Sequence, residues 1–428
     1  MTAKSLLLAG GALLASASAA SASGFQVNLG GQKNNGMGGV GVGLSLDQAA
    51  MFYNPGALAM VRDNGVQFGA NFAVARVSFR SANGGPQRTL DNQPIVYPFN
   101  LYASFGPKDG KFRAGIAVYT PYGSSLSYGK EWEGRYSLSS ITLRAVYVQP
   151  TAAYAITPTL SVGAGLTILT IGSVNLQRQV PLPTGDASIE LDGKAKTKFG
   201  YNAGIFFKPS EKLSVGVSYR SKIDAQVEDG DLTLTGLPTT GGSAALLGSR
   251  FTAKNFSATL PLPAMASVGF GIMPTDKLTL ALDANLTFWS AYRSLDFGFS
   301  GGTTGVINGV TSSSSKRSYQ DALTFRAGGQ YALNDKLTLR AGGAYDMTAV
   351  KDGYVTPETP DSDRLIGTAG LSYMLGEKFS LDVSYQFNRF MERRQTQSQL
   401  VNNGTTDRVA GTYKTQIHIP GIGFQYKF

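Results

Sequence analysis

The side chains that could carry out chemistry are few in this chain. Its one histidine, His418, lies two residues before Pro420 in an alternating strand pattern, and nothing in the sequence pairs it with a serine and an acidic residue as in a catalytic triad. The absence of cysteine removes thiol nucleophiles, disulfides and thiolate metal ligands together. We therefore expect no enzyme activity and no catalytic residue.

Two acidic clusters contain the oxygen ligands that calcium prefers. The first runs from Glu228 to Asp231 and the second from Asp361 to Asp363, but neither has the spacing of a defined calcium loop. The glycines between Gly36 and Gly41 formally match the dinucleotide fingerprint G-x-G-x-x-G, although no strand precedes them and no βαβ unit follows. The sequence therefore predicts neither a metal site nor a cofactor.

The elements that must position any site are strands in a repeated hairpin. Each hairpin has a short turn and a returning strand that opens on Lys or Thr, continues with Leu or Phe, and then has apolar residues at every other position, the period of a pleated strand. The six returning strands begin at Lys111, Thr159, Lys212, Lys277, Lys336 and Lys378. A further strand near Gln67 to Ser81 and a final strand near Tyr413 to Phe428 raise the count to fourteen, which predicts an all-β, antiparallel transmembrane β-barrel.

The chain divides into three segments. Residues 1–22 have a lysine, an apolar core and a small-residue cleavage signal, the pattern of a secretory signal peptide. Residues 23–62 are rich in glycine, lack strand alternation and include the apolar run Ala49 to Tyr53, which needs burial. We expect this segment to fold into the lumen as a plug, and residues 63–428 to form the barrel.

The end of the chain and its charge bear on location and partners. The alternating apolar row that ends at Phe428 resembles the last strand of Gram-negative outer-membrane barrels, which the barrel-assembly machinery reads. The formal net charge of +10 has two interpretations, attraction of anionic lipid headgroups and substrates or simply solvated loops. Because Lys and Arg form no run, we expect no nucleic-acid partner. The expected neighbours are outer-membrane lipid and lipopolysaccharide.

Several motifs, in order along the chain, resemble the FadL family of outer-membrane long-chain fatty acid transporters. They are Ser23 to Gln26, Asn54-Pro55-Gly56, Thr120 to Gly123, Gly134 to Tyr136, Val217 to Lys222 and Pro360 to Arg364. The resemblance implies a barrel plugged by an N-terminal hatch, in which hydrophobic molecules travel from the cell surface to a lateral opening in the wall. The usual hatch motif is Asn-Pro-Ala, so Gly56 is a departure that we expect to alter hatch flexibility.

The resemblance assigns gating roles to a small set of residues. Pro121 and Gly123 predict a break in the third strand, because proline lacks an amide and glycine lacks a side chain to pack. The alternative is that they mark the ordinary extracellular end of that strand. Phe25 is expected to anchor the N-terminus near the break, Asn54 and Pro55 with Gly56 to form a rigid corner of the hatch, and Asp363 to hydrogen-bond the hatch.

Ligand contacts are expected from cations and from apolar loops. By position, Arg178 and the pair Lys316 and Arg317 resemble the carboxylate-binding residues of the family, the alternative being cations at loop bases that face solvent or lipid phosphate. The loop from Ile223 to Phe256 is unusually apolar for an exposed loop. Its leucines, among them Leu234, Leu246 and Leu247, could form a capture groove or a packing core between two loops.

The function implied by these residues is uptake of hydrophobic molecules across the outer membrane by a monomeric barrel. Long-chain fatty acids are the first substrate class, and aromatic hydrocarbons carried by the same fold are the alternative. Two more distant alternatives are a water-filled general porin, which the apolar hatch opposes, and a barrel lipase, which would require His418.

Overall fold

The computed structural model describes residues 24–90, 93–108, 110–183, 185–240, 242–401 and 407–428. The predicted signal peptide lies outside the described residues. Within them the chain forms mostly β-structure, with three short α-helices and three 3-10 helices. The helices are α1 (Gln32–Asn35), α2 (Ala50–Tyr53) and α3 (Gly242–Arg250), and the 3-10 helices are Pro55–Met60, Trp289–Ala291 and Gln397–Gln399. No described helix combines the length and apolar character needed to cross a membrane.

The strands are β1 (Gly65–Asn71), β2 (Val74–Ser81), β3 (Arg88–Thr89), β4 (Phe99–Phe105), β5 (Phe112–Ser127), β6 (Ser140–Ala155), β7 (Leu160–Leu182), β8 (Gly185–Lys194), β9 (Lys198–Ser210), β10 (Leu213–Arg220), β11 (Ile223–Thr235), β12 (Asn255–Leu262), β13 (Met265–Thr275), β14 (Leu278–Thr287), β15 (Ser294–Ser300), β16 (Ser312–Lys316), β17 (Ala322–Ala332), β18 (Leu337–Asp346), β19 (Arg364–Met374), β20 (Phe379–Phe390), β21 (Arg393–Gln395) and β22 (Gly411–Lys427).

Fourteen of these strands pair in an antiparallel ring that closes on itself. The order around the ring is β1, β4, β5, β6, β7, β9, β10, β13, β14, β17, β18, β19, β20 and β22. The ring closes where β22 pairs with β1, from Gly65 opposite Lys427 to Asn71 opposite Gly421. The prediction of a fourteen-stranded antiparallel barrel is therefore confirmed.

The six returning strands begin within one residue of their predicted starts, for example β10 at Leu213 and β14 at Leu278. The first strand differs, because the segment expected to be continuous from Gln67 to Ser81 is divided at Phe72 and Ala73 into β1 and β2. Both parts pair with β22. At the long-loop end of the barrel, β8, β11, β12, β15 and β16 extend the hairpins beyond the ring.

The two faces of the barrel have different chemistry. On β22, Ile422, Phe424 and Tyr426 are exposed on the outside, while Gly423 and Gln425 between them are buried inside. Outward apolar side chains recur around the ring, including Phe270, Leu282 and Tyr385 on other strands. This pattern is that of a barrel whose outer face contacts hydrocarbon and whose interior is polar.

The segment from Gly24 to Val61 crosses the interior of the ring. Its backbone amides at Gly41 and Val42 donate to Asp283 of β14, at 2.7 and 3.0 Å. On another side, Arg220 of β10 donates to the Phe52 carbonyl oxygen at 2.6 Å. Contacts with well-separated strands place this segment between them, where Met51 and Phe52 are buried.

Glycine allows the segment to approach the wall closely. Gly38 has a positive φ of 76°, and a Cβ at this position would lie 2.7 Å from the Gly343 carbonyl oxygen of β18. Likewise, a Cβ at Gly56 would lie 2.6 Å from the Gly204 carbonyl oxygen of β9. Since real Cβ atoms essentially never come so near, only glycine permits this backbone-to-backbone packing.

We predict that trypsin will cleave the folded protein only slowly after Lys33. The Lys33 ammonium is 3.3 Å from the Asp47 carboxylate and its side chain is 12% exposed, so cleavage requires displacement of the segment. We expect cleavage there to be roughly 100-fold slower than after the exposed Lys130 and Lys351, which serve as internal controls. Mass spectrometry of the fragments checks this, and equal cleavage at Lys33 in a barrel that keeps its heat-modifiable gel mobility would contradict it.

Candidate functional site

Strand β5 contains an irregularity at Pro121. The pairing with β6 places Tyr119 opposite Tyr147 but Tyr122 opposite Ala145, so β5 has one residue more than its partner across this step. On its other edge, β5 pairs with β4 only as far as Tyr119, opposite Asn100. On the side towards β2, the upper part of β5 is therefore not paired with β4.

The gap between that edge and β2 is framed by irregular backbone. Residues 93–98 run beside the start of β2, where Ala73, the residue before that strand, and Val96 exchange hydrogen bonds at 2.8 and 3.1 Å. Pro94 and Pro98 in this stretch have no amide hydrogen to give to β5. At the upper end of the gap, the Gln93 side-chain amide donates to the Ser127 carbonyl oxygen at 2.6 Å, and the Ser127 amide donates to Gln93 Oε1 at 3.1 Å. These two hydrogen bonds close the frame. We call this framed gap the window.

The N-terminal residues occupy the inner side of the window. The Val27 amide donates to the Pro121 carbonyl oxygen at 2.8 Å, and the Gly123 amide donates to the Phe25 carbonyl oxygen at 3.0 Å. These two hydrogen bonds satisfy backbone groups of β5 that lie beyond the end of its pairing with β4. The Phe25 ring packs edge-on against Trp289, with centroids 4.8 Å apart, and also contacts Tyr122 and Tyr292.

Three cavities with shared walls lead inward from the window. The window cavity adjoins an apolar cavity, and Phe25, Ser124 and Thr359 line both. The apolar cavity in turn adjoins a cation cavity, and Leu176 and Phe297 line both. The window cavity is lined in part by Val27, Ala75, Val96, Gly123 and Leu126, the apolar cavity by Leu143, Val174, Leu260, Leu262 and Tyr292, and the cation cavity by Arg178, Ile189, Ile307, Arg317 and Asp407.

Two arginines of the cation cavity have different surroundings. Arg317 is buried and forms ion pairs with Glu358 and with Asp407, the latter at 2.7 Å. Burial lowers the pKa of Arg317, but the charges of Glu358 and Asp407 raise it by more, so the net direction is upward. Arg317 therefore stays charged, and the two carboxylates neutralise its charge. Arg408 approaches the other oxygen of Asp407 at 3.5 Å.

The half-buried Arg178 lines the same cavity, and among the described residues its guanidinium has no hydrogen bond or ion pair. In the part of the chain that the structure describes, Arg178, Arg317 and Arg408 lie near two carboxylates, Glu358 and Asp407, and the charge of Asp407 acts on Arg178 as well as on the other two arginines. Lys316, in contrast, is exposed to solvent. Of the three cations predicted to bind a carboxylate, the geometry thus leaves Arg178 best placed.

The comparisons with known proteins agree with this architecture. The family model for outer membrane protein transport proteins (OMPP1/FadL/TodX) matches residues 13–428. This chain belongs to that family. Its place is therefore the outer membrane of a Gram-negative bacterium, and the family is one of transport channels for hydrophobic compounds.

Individual members are only distantly similar. The chain is 23% identical to outer membrane protein P1 of Haemophilus influenzae over 420 residues, covering 90% of this chain and 87% of the relative. A solved FadL homologue of Pseudomonas aeruginosa superposes with a TM-score of 0.79 at 21% identity, over 95% of this chain and 100% of that one. The toluene transporter TbuX of Ralstonia pickettii superposes with a TM-score of 0.66 at 19% identity, over 93% and 98%.

The apolar loop residues of this FadL-family chain take up different positions. Leu247 is buried in a cluster with Leu191, Leu232 and Phe256, which joins the hairpins above the ring. Leu234 packs partly against this cluster, and Leu246 is 62% exposed. The cluster corresponds to the packing core that was the alternative to a capture groove, and Leu246 is the residue of this set that remains open to solvent.

The Asn-Pro-Gly corner is held by side-chain hydrogen bonds. The Asn54 amide donates to the carbonyl oxygens of Val42 and Ile205, at 2.9 and 3.0 Å, and its Oδ1 accepts from the Gly56 amide at 2.9 Å. Pro55 begins the 3-10 helix that follows. Asn54 therefore ties two parts of the N-terminal segment to each other and to β9.

Asp361, rather than Asp363, touches the N-terminal segment. The Asp363 carboxylate accepts hydrogen bonds from the Tyr345 hydroxyl at 2.6 Å and the Thr348 amide at 2.9 Å, both of its own hairpin. The Gly24 amide instead donates to Asp361 at 3.3 Å. The expected contact of Asp363 with the hatch is thus wrong by two residues.

Burial raises the pKa of the Asp361 carboxyl to about 6, even though the charge of Arg364 lowers it.

Other candidate residues have structural surroundings. His418 lies on the outer face of β22, where its Nδ1 is 2.6 Å from the Tyr385 hydroxyl and its ring packs against Phe387. Within the described parts of the chain, no three acidic or histidine side chains converge as they would to hold a metal ion.

Sequence reasoning missed one side of the window. It identified Pro121 and Gly123 on β5, but the opposite side is built from Pro94, Val96 and Pro98. The signal was present, since two prolines within five residues cannot form a regular strand in the middle of a sheet. This stretch precedes the first complete hairpin, so the hairpin repeat gives no information about it.

Proposed function

We propose that this outer-membrane channel takes up long-chain fatty acids and releases them sideways into the membrane through the window. The observation that carries the proposal is the row of three adjoining cavities, which runs from Arg178, whose guanidinium makes no hydrogen bond among the described residues, to the gap in the wall. A carboxylate would bind at one end of this row and an alkyl chain would occupy the apolar middle. Lateral release spares the chain an aqueous passage, where each exposed methylene costs about 0.8 kcal/mol.

Aromatic hydrocarbons, the class named for the toluene transporter above, remain the second candidate. The apolar cavity suits either class, because its lining is almost entirely aliphatic and aromatic. The cation cavity favours the fatty acid, since a hydrocarbon would leave the desolvated Arg178 guanidinium without a hydrogen-bond acceptor. The charge at Arg178 therefore distinguishes the two substrates.

We propose that the N-terminal segment is the hatch and that Phe25 is its barrier. Phe25 separates the apolar cavity from the window cavity, and it is held by aromatic contacts and by two backbone bonds to β5. A substrate that binds more tightly when Phe25 is displaced shifts the population towards the open state. In this scheme Asn54 and Pro55 make a rigid corner that transmits the displacement.

For Arg178→Gln, we expect the dissociation constant of a long-chain fatty acid to rise about tenfold, because a charge-assisted hydrogen bond is lost. The fatty alcohol of the same chain length should bind within about threefold of the wild type, as it carries no charge. Fluorescence titration of the purified barrel measures both, with Lys316→Gln as the exposed control. An equal loss for acid and alcohol would show that Arg178 does not bind the carboxylate.

For Gly123→Val, we expect slower uptake by cells with folding unchanged. A Cβ at this position meets only the Leu143 carbonyl oxygen, at 3.3 Å, so valine fits the backbone and fills the window. Gly367→Val on the outer face of β19 is the matched control, because a Cβ there has open space and because β20 and β22 separate β19 from β2. Uptake at the wild-type rate by a properly inserted Gly123→Val barrel would refute lateral release.

Replacing Asn54 or Pro55 by Ala should lower transport while ligand affinity stays within a few-fold. Asn54 holds three hydrogen bonds of the corner but does not line the cation or apolar cavities. The turn residue Asn334→Ala, which removes comparable side-chain bonds in an exposed turn, is the control. If transport and ligand affinity both fell, Asn54 and Pro55 would belong to the binding site instead.

A further inference from the structure

Exposed cations gather on one part of the outer face, where β2, β20, β21 and β22 meet. The basic patch consists of Arg76, Arg80, Arg389, Arg394 and Lys414. None of them lines the apolar or cation cavity. The proposed transport function therefore leaves this patch without a role.

Strand register brings the five cations together. Gln416 of β22 is paired with Arg76 on one side and with Arg389 on the other. Four residues earlier, Thr412 is paired with Arg80 on one side and with Arg394 on the other. Lys414 lies between these two rows, and neighbouring strands are about 4.8 Å apart. The patch therefore has a cation near each corner and one in the middle.

Among the residues that the structure describes, Glu392 is the carboxylate that pairs with the patch. Glu392 pairs with the Lys414 ammonium at 2.7 Å, and both side chains remain about half exposed. The hydrogen bond with Lys414 is the largest cause of the lowered pKa of Glu392, and the charges of Arg80 and Arg394 contribute in the same direction. Among the described residues, five cations against one carboxylate leave the patch positive.

The height of the patch on the barrel coincides with a membrane boundary. Below it, β22 carries the outward row His418, Pro420, Ile422, Phe424 and Tyr426. Tyr426 lies ten positions after Gln416, and a spanning strand needs about 9 to 11 residues. The patch lies towards the long hairpins, which face the cell exterior in such barrels, so it adjoins the outer leaflet.

We propose that the basic patch binds the phosphorylated sugar headgroup of an outer-leaflet glycolipid, whose acyl chains lie along the apolar row below. Arginine forks bind phosphate oxygens in pairs, and cations at a membrane surface attract anionic lipids. Free phosphate would gain nothing from the apolar row, whereas a lipid uses both. Arg76, Arg389 and Lys414 also line one surface crevice, which offers the headgroup a concave seat.

The site adjoins the window. Ala75 lines both this crevice and the window cavity, so a lipid in the crevice would stand at the edge of the opening. The binding site itself does not depend on the proposed release route.

The test uses the full-length mature barrel in detergent and three probes: lipopolysaccharide, the same lipopolysaccharide after enzymatic dephosphorylation, and inorganic phosphate. We expect lipopolysaccharide alone to bind, measured by native mass spectrometry and by the rise in melting temperature. The triple variant Arg80→Gln, Arg394→Gln and Lys414→Gln should bind it at least about tenfold more weakly.

A matched control removes three positive charges at the opposite end of the barrel. Lys277, Lys336 and Lys378 lie exposed in the short turns, and their replacement by Gln should leave binding within about twofold of wild type. If the first triple variant fails to fold, Arg76→Gln with Arg389→Gln tests the same patch. The proposal would be overturned if a folded patch variant bound lipopolysaccharide as the wild type does, or if the control variant lost binding equally. It would also be overturned if the dephosphorylated lipid or inorganic phosphate bound as well as lipopolysaccharide.

Discussion

The upper edge of β5 must find backbone hydrogen-bond partners in a hydrocarbon environment. Unpaired peptide groups facing lipid cost several kcal/mol each, which is why membrane strands occur in closed rings. Here β4 stops pairing at Asn100, and the residues before it follow β2 instead. Phe25 and Val27 supply part of the missing pairing from inside. An opening in the wall is thus compatible with a satisfied backbone because another segment reaches it.

That constraint couples the opening to the position of the N-terminal segment. Whatever displaces Phe25 also removes hydrogen bonds from β5, so the segment and the window are not independent. The rest of the segment meets the wall partly through glycines and polar side chains, such as Gly38 against Gly343 and Gln32 against Asn71. Polar contacts of this kind can be exchanged for water more cheaply than an apolar core can be exposed. The segment also meets the wall through Phe52, whose ring packs edge-on against Tyr119 of β5 at 5.1 Å.

The repeated hairpins and the closed ring follow from the sequence, because period-two alternation and short turns are local signals. The single strand expected from Gln67 to Ser81 was wrong in its continuity, since the break at Phe72 reflects the neighbouring window rather than local propensity. Arg317 could not be distinguished from Arg178 by sequence. Its partners Glu358 and Asp407 are 41 and 90 positions away, so only the fold shows that its charge is already matched. The Asp361 contact was missed for the same reason, because Gly24 is 337 positions away.

The most direct test of the account is to capture a substrate on its way out. Cells are supplied with a long-chain fatty acid that carries a photoreactive diazirine at its methyl end, irradiated during uptake, and the adducts are mapped by mass spectrometry. The account predicts adducts on residues that frame the window, such as Val96 and Leu126. Adducts confined to inward residues of the periplasmic half, such as Gln67 and Gln425, with none at the window, would contradict it.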